Sequence, residues 1–143
     1  MAIKEHEHHT HCEHEHDNCH DHHDLFAEAG ETPAVFSHTF SVEFKHTVDA
    51  ETLSGKLEDW LELLCQWAKQ NRYYIGHIKV IAESGNGFYL WLSTTGKQVS
   101  VTGGEGWRNV LLNHCSISIT AILFNVEEHI LNQFALESIT AVL

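Results

Sequence analysis

Apolar and polar residues alternate with a period of two from Val35 onward. Phe36, His38, Phe40, Val42, Phe44 and His46 share one side, and Ser37, Thr39, Ser41, Glu43 and Lys45 the other, as in a half-buried β-strand. The period then lengthens. Leu53, Leu57, Trp60, Leu61, Leu64 and Ala68 recur at helical spacing behind Asp49, a capping residue type, with Glu51 in the first turn; the spacing predicts a helix to about Asn71. Residues 74–82 read as a strand, Ser84-Gly85-Asn86-Gly87 as a hairpin turn and residues 88–93 as the antiparallel return. Thr95-Gly96-Lys97 turns into a short strand at 98–102, glycines 103, 104 and 106 loosen the connection past Trp107, and 116–124 alternates Ile117, Ile119 and Ala121 as a further strand. Asn125 and Glu128 have capping-box spacing for a final helix to about Ala141. The order β-α-β-β-β-β-α predicts an α+β fold over residues 35–143. It is a two-layer sandwich in which the apolar faces of two helices cover one face of a mostly antiparallel sheet.

The N-terminal segment, residues 1–24, follows neither period. From Lys4 to Asp24 there is no Leu, Val, Ile, Phe, Tyr or Trp, so nothing in that stretch offsets the entropy of ordering it, and it is expected to be a disordered tail. Residues 25–34, with Gly30 and the single proline, Pro33, read as a linker into the folded part.

Charge narrows the partners. Eight Lys plus Arg against 20 Asp plus Glu give a formal charge of −12 over 143 residues, which argues against a nucleic-acid partner. The length suits one domain, and 43% hydrophobic residues can supply its core. No run of about 18 apolar residues exists to span a membrane, and the chain turns polar too early for a secretory leader. A soluble, cytoplasmic protein is expected. Its four cysteines, at positions 12, 19, 65 and 115, are too few for a disulfide scaffold and would stay reduced there.

The histidines carry the chemistry. Nine of the 14 fall within the first 24 residues: His6, His8, His9, His11, His14, His16, His20, His22 and His23. Seven acids and the thiols Cys12 and Cys19 share that stretch with one base, Lys4. Imidazole has a pKa of about 6.5, so it is mostly neutral at neutral pH and binds zinc, nickel or cobalt with little proton cost. The pairs His6-x-His8, His9-x-His11, His14-x-His16 and His20-x-His22 put two nitrogens within reach of one ion. The two cysteines, in a C-x6-C spacing, would add thiolates that favour zinc if recruited. That spacing is not a zinc finger's, and the interleaved Glu, Asp and Cys distinguish the tract from an affinity tag. With no scaffold to fix four ligands, exchanging complexes are expected, suited to capture and hand-over rather than to a closed structural site. The carboxylates concentrate cations locally, although salt weakens that attraction beyond about 8 Å. Selectivity would be poor, and affinity would rise through cobalt and nickel to copper, with zinc below copper.

The remaining candidates have simpler readings. His38 and His46 on the first strand read as core or edge histidines, His129 as a surface residue, Cys65 as a small core hydrophobe, and Trp60, Trp67, Trp91 and Trp107 as packing. His77, His114 and Cys115 would make a second metal site if the fold brought them together. No Ser-His-Asp, H-E-x-x-H or paired-carboxylate arrangement is present, so no enzyme is expected.

Three places in the chain resemble the C-terminal domain of the CobW family, metal-handling proteins whose N-terminal domain is a P-loop GTPase. They are Phe40-Ser-Val-Glu-Phe44 leading to Asp49-Ala-Glu-Thr-Leu53 and Trp60-Leu-Glu-Leu-Leu64; the strand Ile75-Gly-His-Ile-Lys79; and Ile122-Leu-Phe-Asn-Val-Glu-Glu128. The resemblance spans roughly residues 36–141. In the second place the family usually has a basic residue followed by Lys-Gly; Lys79 matches the lysine and Val80 stands at the glycine. Nothing in the sequence reads G-x-x-x-x-G-K-[ST], and the family's Cys-x-Cys-Cys motif is also absent, so no nucleotide is expected to bind. The resemblance implies a stand-alone C-terminal domain carrying a metal-binding tail. Such a protein would serve as a metallochaperone or buffer in metal homeostasis, passing its ion to a metal-receiving apoprotein, or would pair with a separately encoded CobW-type GTPase.

Overall fold

The computed structural model describes residues 32–143; the histidine-rich tract of residues 1–24 and most of the 25–34 linker lie outside the described residues. Strand β1 spans Ala34–Asp49, helix α1 Ala50–Gln70, β2 Tyr74–Glu83, β3 Tyr89–Thr94, β4 Ser100–Gly103, β5 Leu111–Phe124 and helix α2 Glu128–Val142. The five strands form one antiparallel sheet in the order β1-β5-β2-β3-β4. The last strand therefore inserts between the first and second, and β1 and β4 are the edges. This is the α+β two-layer sandwich the periodicity predicts.

Alternation along the strands decides which face is covered. Phe36 on β1, Ile78, Val80 and Ala82 on β2, Leu90 and Leu92 on β3, and Cys115, Ile117, Ile119, Ala121 and Leu123 on β5 are buried. The residues between them are half-buried or exposed. Helix α1 meets this apolar face with Leu53, Leu57, Trp60, Leu61, Leu64 and Ala68, all fully buried, as the helical spacing requires. Helix α2 contributes Leu131, Ala135 and Ile139. The two helices join through Trp60, whose Nε1 donates to Ser138 Oγ at 2.8 Å, and through Trp67, stacked on Phe134 with ring centroids 4.2 Å apart.

Asp49 starts α1 as its sequence position predicts. Its carboxylate accepts from the Thr52 amide at 2.8 Å and from the Thr52 hydroxyl at 2.9 Å. The Thr52 backbone bond, followed by the hydroxyl bond, holds the carboxyl below its usual pKa. A group whose folded pKa is depressed stabilises the fold above its unfolded value and loses that contribution as pH falls through the folded value. Asp49→Ala should therefore lower the Tm at neutral pH, and the gap to the parent should close as the pH falls below about 4. Thermal unfolding across that range checks this; a gap independent of pH would contradict it.

Strand β4 is Ser100–Gly103, not 98–102, because its ladder with β3 starts at the Ser93–Ser100 pair, and two further features differ from the sequence reading. Strand β5 begins at Leu111, not Ser116, because β1 bulges beside it: Glu43 pairs with His114 and Val48 with Leu112, so four residues of β1 lie opposite Asn113. Thr47 Oγ1 donates to Asn113 Oδ1 across this bulge at 2.8 Å. The phase slip puts Leu112 and Cys115, three residues apart, both in the core, which breaks the period that marks a strand. The final helix lacks the expected capping box. Asn125 takes a positive φ of 66° and its Nδ2 donates to the Arg72 carbonyl, while Glu127 precedes the helix without a side-chain cap. Asn125 thus fastens the end of β5 to the end of α1.

Candidate metal centre

The eleven predicted ligands, His6, His8, His9, His11, Cys12, His14, His16, Cys19, His20, His22 and His23, lie outside the described residues. The folded domain carries the remaining histidines. Its five histidines are spread over the fold. On β1, His38 lies exposed between two aromatic neighbours, with ring centroids 6.0 Å from Phe36 and 4.6 Å from Phe40. His46 is exposed within the bulge of the same strand. These are edge positions, in keeping with the simpler reading. The side chain of His129, at the start of α2, is 72% exposed with Nδ1 3.3 Å from a Glu127 carboxylate oxygen.

The second site does not assemble. His77 pairs with Ile122 on β5, whereas His114 lies eight residues along that strand beside Glu43. At about 3.3 Å per residue this separates them by about 26 Å along the sheet. Cys115 follows His114 but faces the core, 1% exposed, because successive strand residues point to opposite faces. Burial pushes the Cys115 thiol up to about 11, which makes a thiolate there costlier to form than at an exposed cysteine. Among the described residues no group of three or more His, Cys, Asp or Glu is placed to hold a metal ion.

Cys65 also departs from expectation. It is half-buried, not a core residue, and opens onto a cleft of about 1050 Å³ between the second half of α1, residues 72–75 and the loop of residues 94–99. Burial, joined by the charge of Glu62, raises its thiol against the lowering effect of a bond to Thr94. The tryptophans divide as a packing role requires: Trp60 and Trp107 are buried, Trp67 is half-buried, and Trp91 lies on the uncovered sheet face beneath Lys79, whose Nζ is 4.5 Å from the ring centroid. No helix among the described residues is long and apolar enough to cross a membrane.

No family model matches the sequence. No curated protein matches it either. Among solved structures the chain is similar to the Zn(II)-bound YjiA GTPase from E. coli, with 13% identity, a TM-score of 0.38, and coverage of 75% of this chain and 30% of that one. It is similar to a Zn(II)-bound triple mutant of YjiA GTPase at 12% identity and the same TM-score, over 74% of this chain and 29% of the other. The chain thus spans under a third of the length of those structures.

Proposed function

We propose that this protein binds transition-metal ions as cargo and acts as a metallochaperone or metal buffer, with no catalysis of its own. Residues 6–23 capture zinc, cobalt or nickel, and the sandwich of residues 32–143 is the part that docks a metal-receiving partner. The observation that carries this reading is the ligand density of the tract: nine imidazoles and two thiols between His6 and His23. Imidazole and thiolate are the donors these borderline and soft ions prefer. Among the described residues the histidines are dispersed and no competing ligand group forms.

The test is a calorimetric titration of the reduced, metal-free chain with zinc, nickel and cobalt, beside a full-length variant with all nine tract histidines replaced by Asn and Cys12 and Cys19 by Ser. High-affinity binding disappears in the variant. A stoichiometric site that survives the replacement would move the metal into the folded domain and overturn the assignment.

A second reading rests on the three places of resemblance to the CobW C-terminal domain. In it the domain pairs with a separate P-loop GTPase of that family and restores a two-chain metallochaperone. Nucleotide-dependent association with such a GTPase distinguishes it, since a buffer acting alone would show none.

A further inference from the structure

The cleft beside Cys65 gathers positive charge in an acidic protein. Residues 32–143 hold seven Lys and Arg against eleven Asp and Glu, yet three of the seven, Lys69, Arg72 and Lys97, line this one cleft. None of the three side chains has a carboxylate or aromatic partner among the described residues. Of the other four, Lys79 lies over Trp91 and Arg108 over Trp107, while Lys45 and Lys56 also lack such a partner but lie outside the cleft. Glu58 and Glu62 share the lining, two to three turns of α1 before Lys69, and form no ion pair with the three cations among the described residues, so the like charges at the Arg72 end cost free energy unless an anion joins them.

Helix termination explains only part of this arrangement. Lys69 sits in the last turn of α1, where a cation complements the helix dipole. Lys97 comes from the β3–β4 loop instead, held by the Gly96 amide donating to Thr94 Oγ1 at 3.0 Å. Arg72 has a φ of 61°, a left-handed conformation at a helix end where glycine is the residue of least strain. Its backbone is pinned there by its amide donating to Lys69 O and by Asn125 Nδ2 donating to its carbonyl. A guanidinium kept at a glycine position is a local cost that points to a role for the side chain.

We propose that this cleft binds a small organic anion, a phosphate ester or polycarboxylate whose negative charges cluster at one end and are held by Lys69, Arg72 and Lys97. Its volume of about 1050 Å³ is that of a small-molecule site and far exceeds a lone phosphate. Glu58 and Glu62 line the cleft on the same helix, toward its start. An extended acidic peptide running along α1 would meet them, whereas a compact ligand with its charges at the Arg72 end would not. This site is independent of the metal-binding tract.

The test titrates the metal-free, full-length protein with ADP and with citrate, using inorganic phosphate and a hexaglutamate peptide for comparison, and follows backbone amide shifts. ADP or citrate saturates the shifts of residues around the cleft, and whichever binds more tightly identifies the ester or the carboxylate class. K69Q/R72Q/K97Q weakens that binding at least tenfold, and so does raising the salt from low to molar concentration. Arg72→Gly keeps the fold, melting at the same temperature or higher, yet also binds at least tenfold more weakly. The proposal is overturned if neither probe saturates, if inorganic phosphate or hexaglutamate binds as tightly as the better probe, or if Arg72→Gly binds unchanged.

Discussion

Zinc affinity should fall about a thousandfold between about pH 7.5 and about pH 5.5. Each imidazole ligand must be neutral to bind, and with a pKa of about 6.5 the neutral fraction drops about tenfold over that interval. A complex of three imidazoles drawn from residues 6–23 multiplies that factor three times. The neighbouring carboxylates, such as Glu13 and Asp17, stay largely ionised at the lower pH and contribute almost nothing to the slope. Competition against a chromophoric chelator, corrected for the chelator's own protonation at each pH, measures the effect. A loss of less than tenfold would mean that carboxylates hold the ion and histidines do not.

The folded domain has its own point of greatest sensitivity. Trp60→Ala should cost about 3–5 kcal/mol, as large-to-small changes at filled aromatic sites do. Trp60 is fully buried in the contact between α1 and α2, and its removal leaves a cavity at the only place where the helices are joined by a side-chain hydrogen bond among the described residues. Ser138 Oγ still donates to the Phe134 carbonyl at 2.6 Å, so the loss is chiefly packing and not an orphaned hydroxyl. At roughly 4 °C per kcal/mol for a domain of this size, the Tm should drop by about 12–20 °C. Thermal unfolding measures it, and a loss under about 1 kcal/mol would show that α2 adds little to the core. Zinc affinity measured below the variant's melting range should be unchanged, since the residues proposed to capture the ion precede the domain.

What the sequence revealed follows physical locality. The period-two run through Phe36 and Phe40, the helical run through Trp60 and the Asp49 cap are written in neighbouring residues, and each lies where predicted. The hairpin is also local: Asn86 Oδ1 accepts from the Phe88 amide while the Ser84 amide bonds to the Phe88 carbonyl. The start of β5 was hidden because its partner bulges, so Leu112 and Cys115 keep no common period. Asn125 resembled a capping residue in isolation; its actual bond is to Arg72, 53 residues earlier, and no local pattern encodes that. The cleft was invisible for the same reason, since Lys69 and Arg72 lie at the end of α1 while Lys97 lies on the β3–β4 loop, and no motif links the two segments. Cys65, a core residue by its helical position, borders that cleft and is half-buried. The metal-binding proposal for residues 1–24, by contrast, rests on composition and not on any element of the fold.

The most direct measurement is a zinc titration of the full-length, reduced protein labelled with nitrogen-15 at histidine, following the imidazole nitrogens by NMR. The resonances of His6, His8, His9, His11, His14, His16, His20, His22 and His23 should shift on adding the first equivalent, with exchange among them, while His38, His46, His77, His114 and His129 stay in place. Shifts led by His77 or His114, with the nine left unmoved, would contradict the assignment of metal capture to the tract.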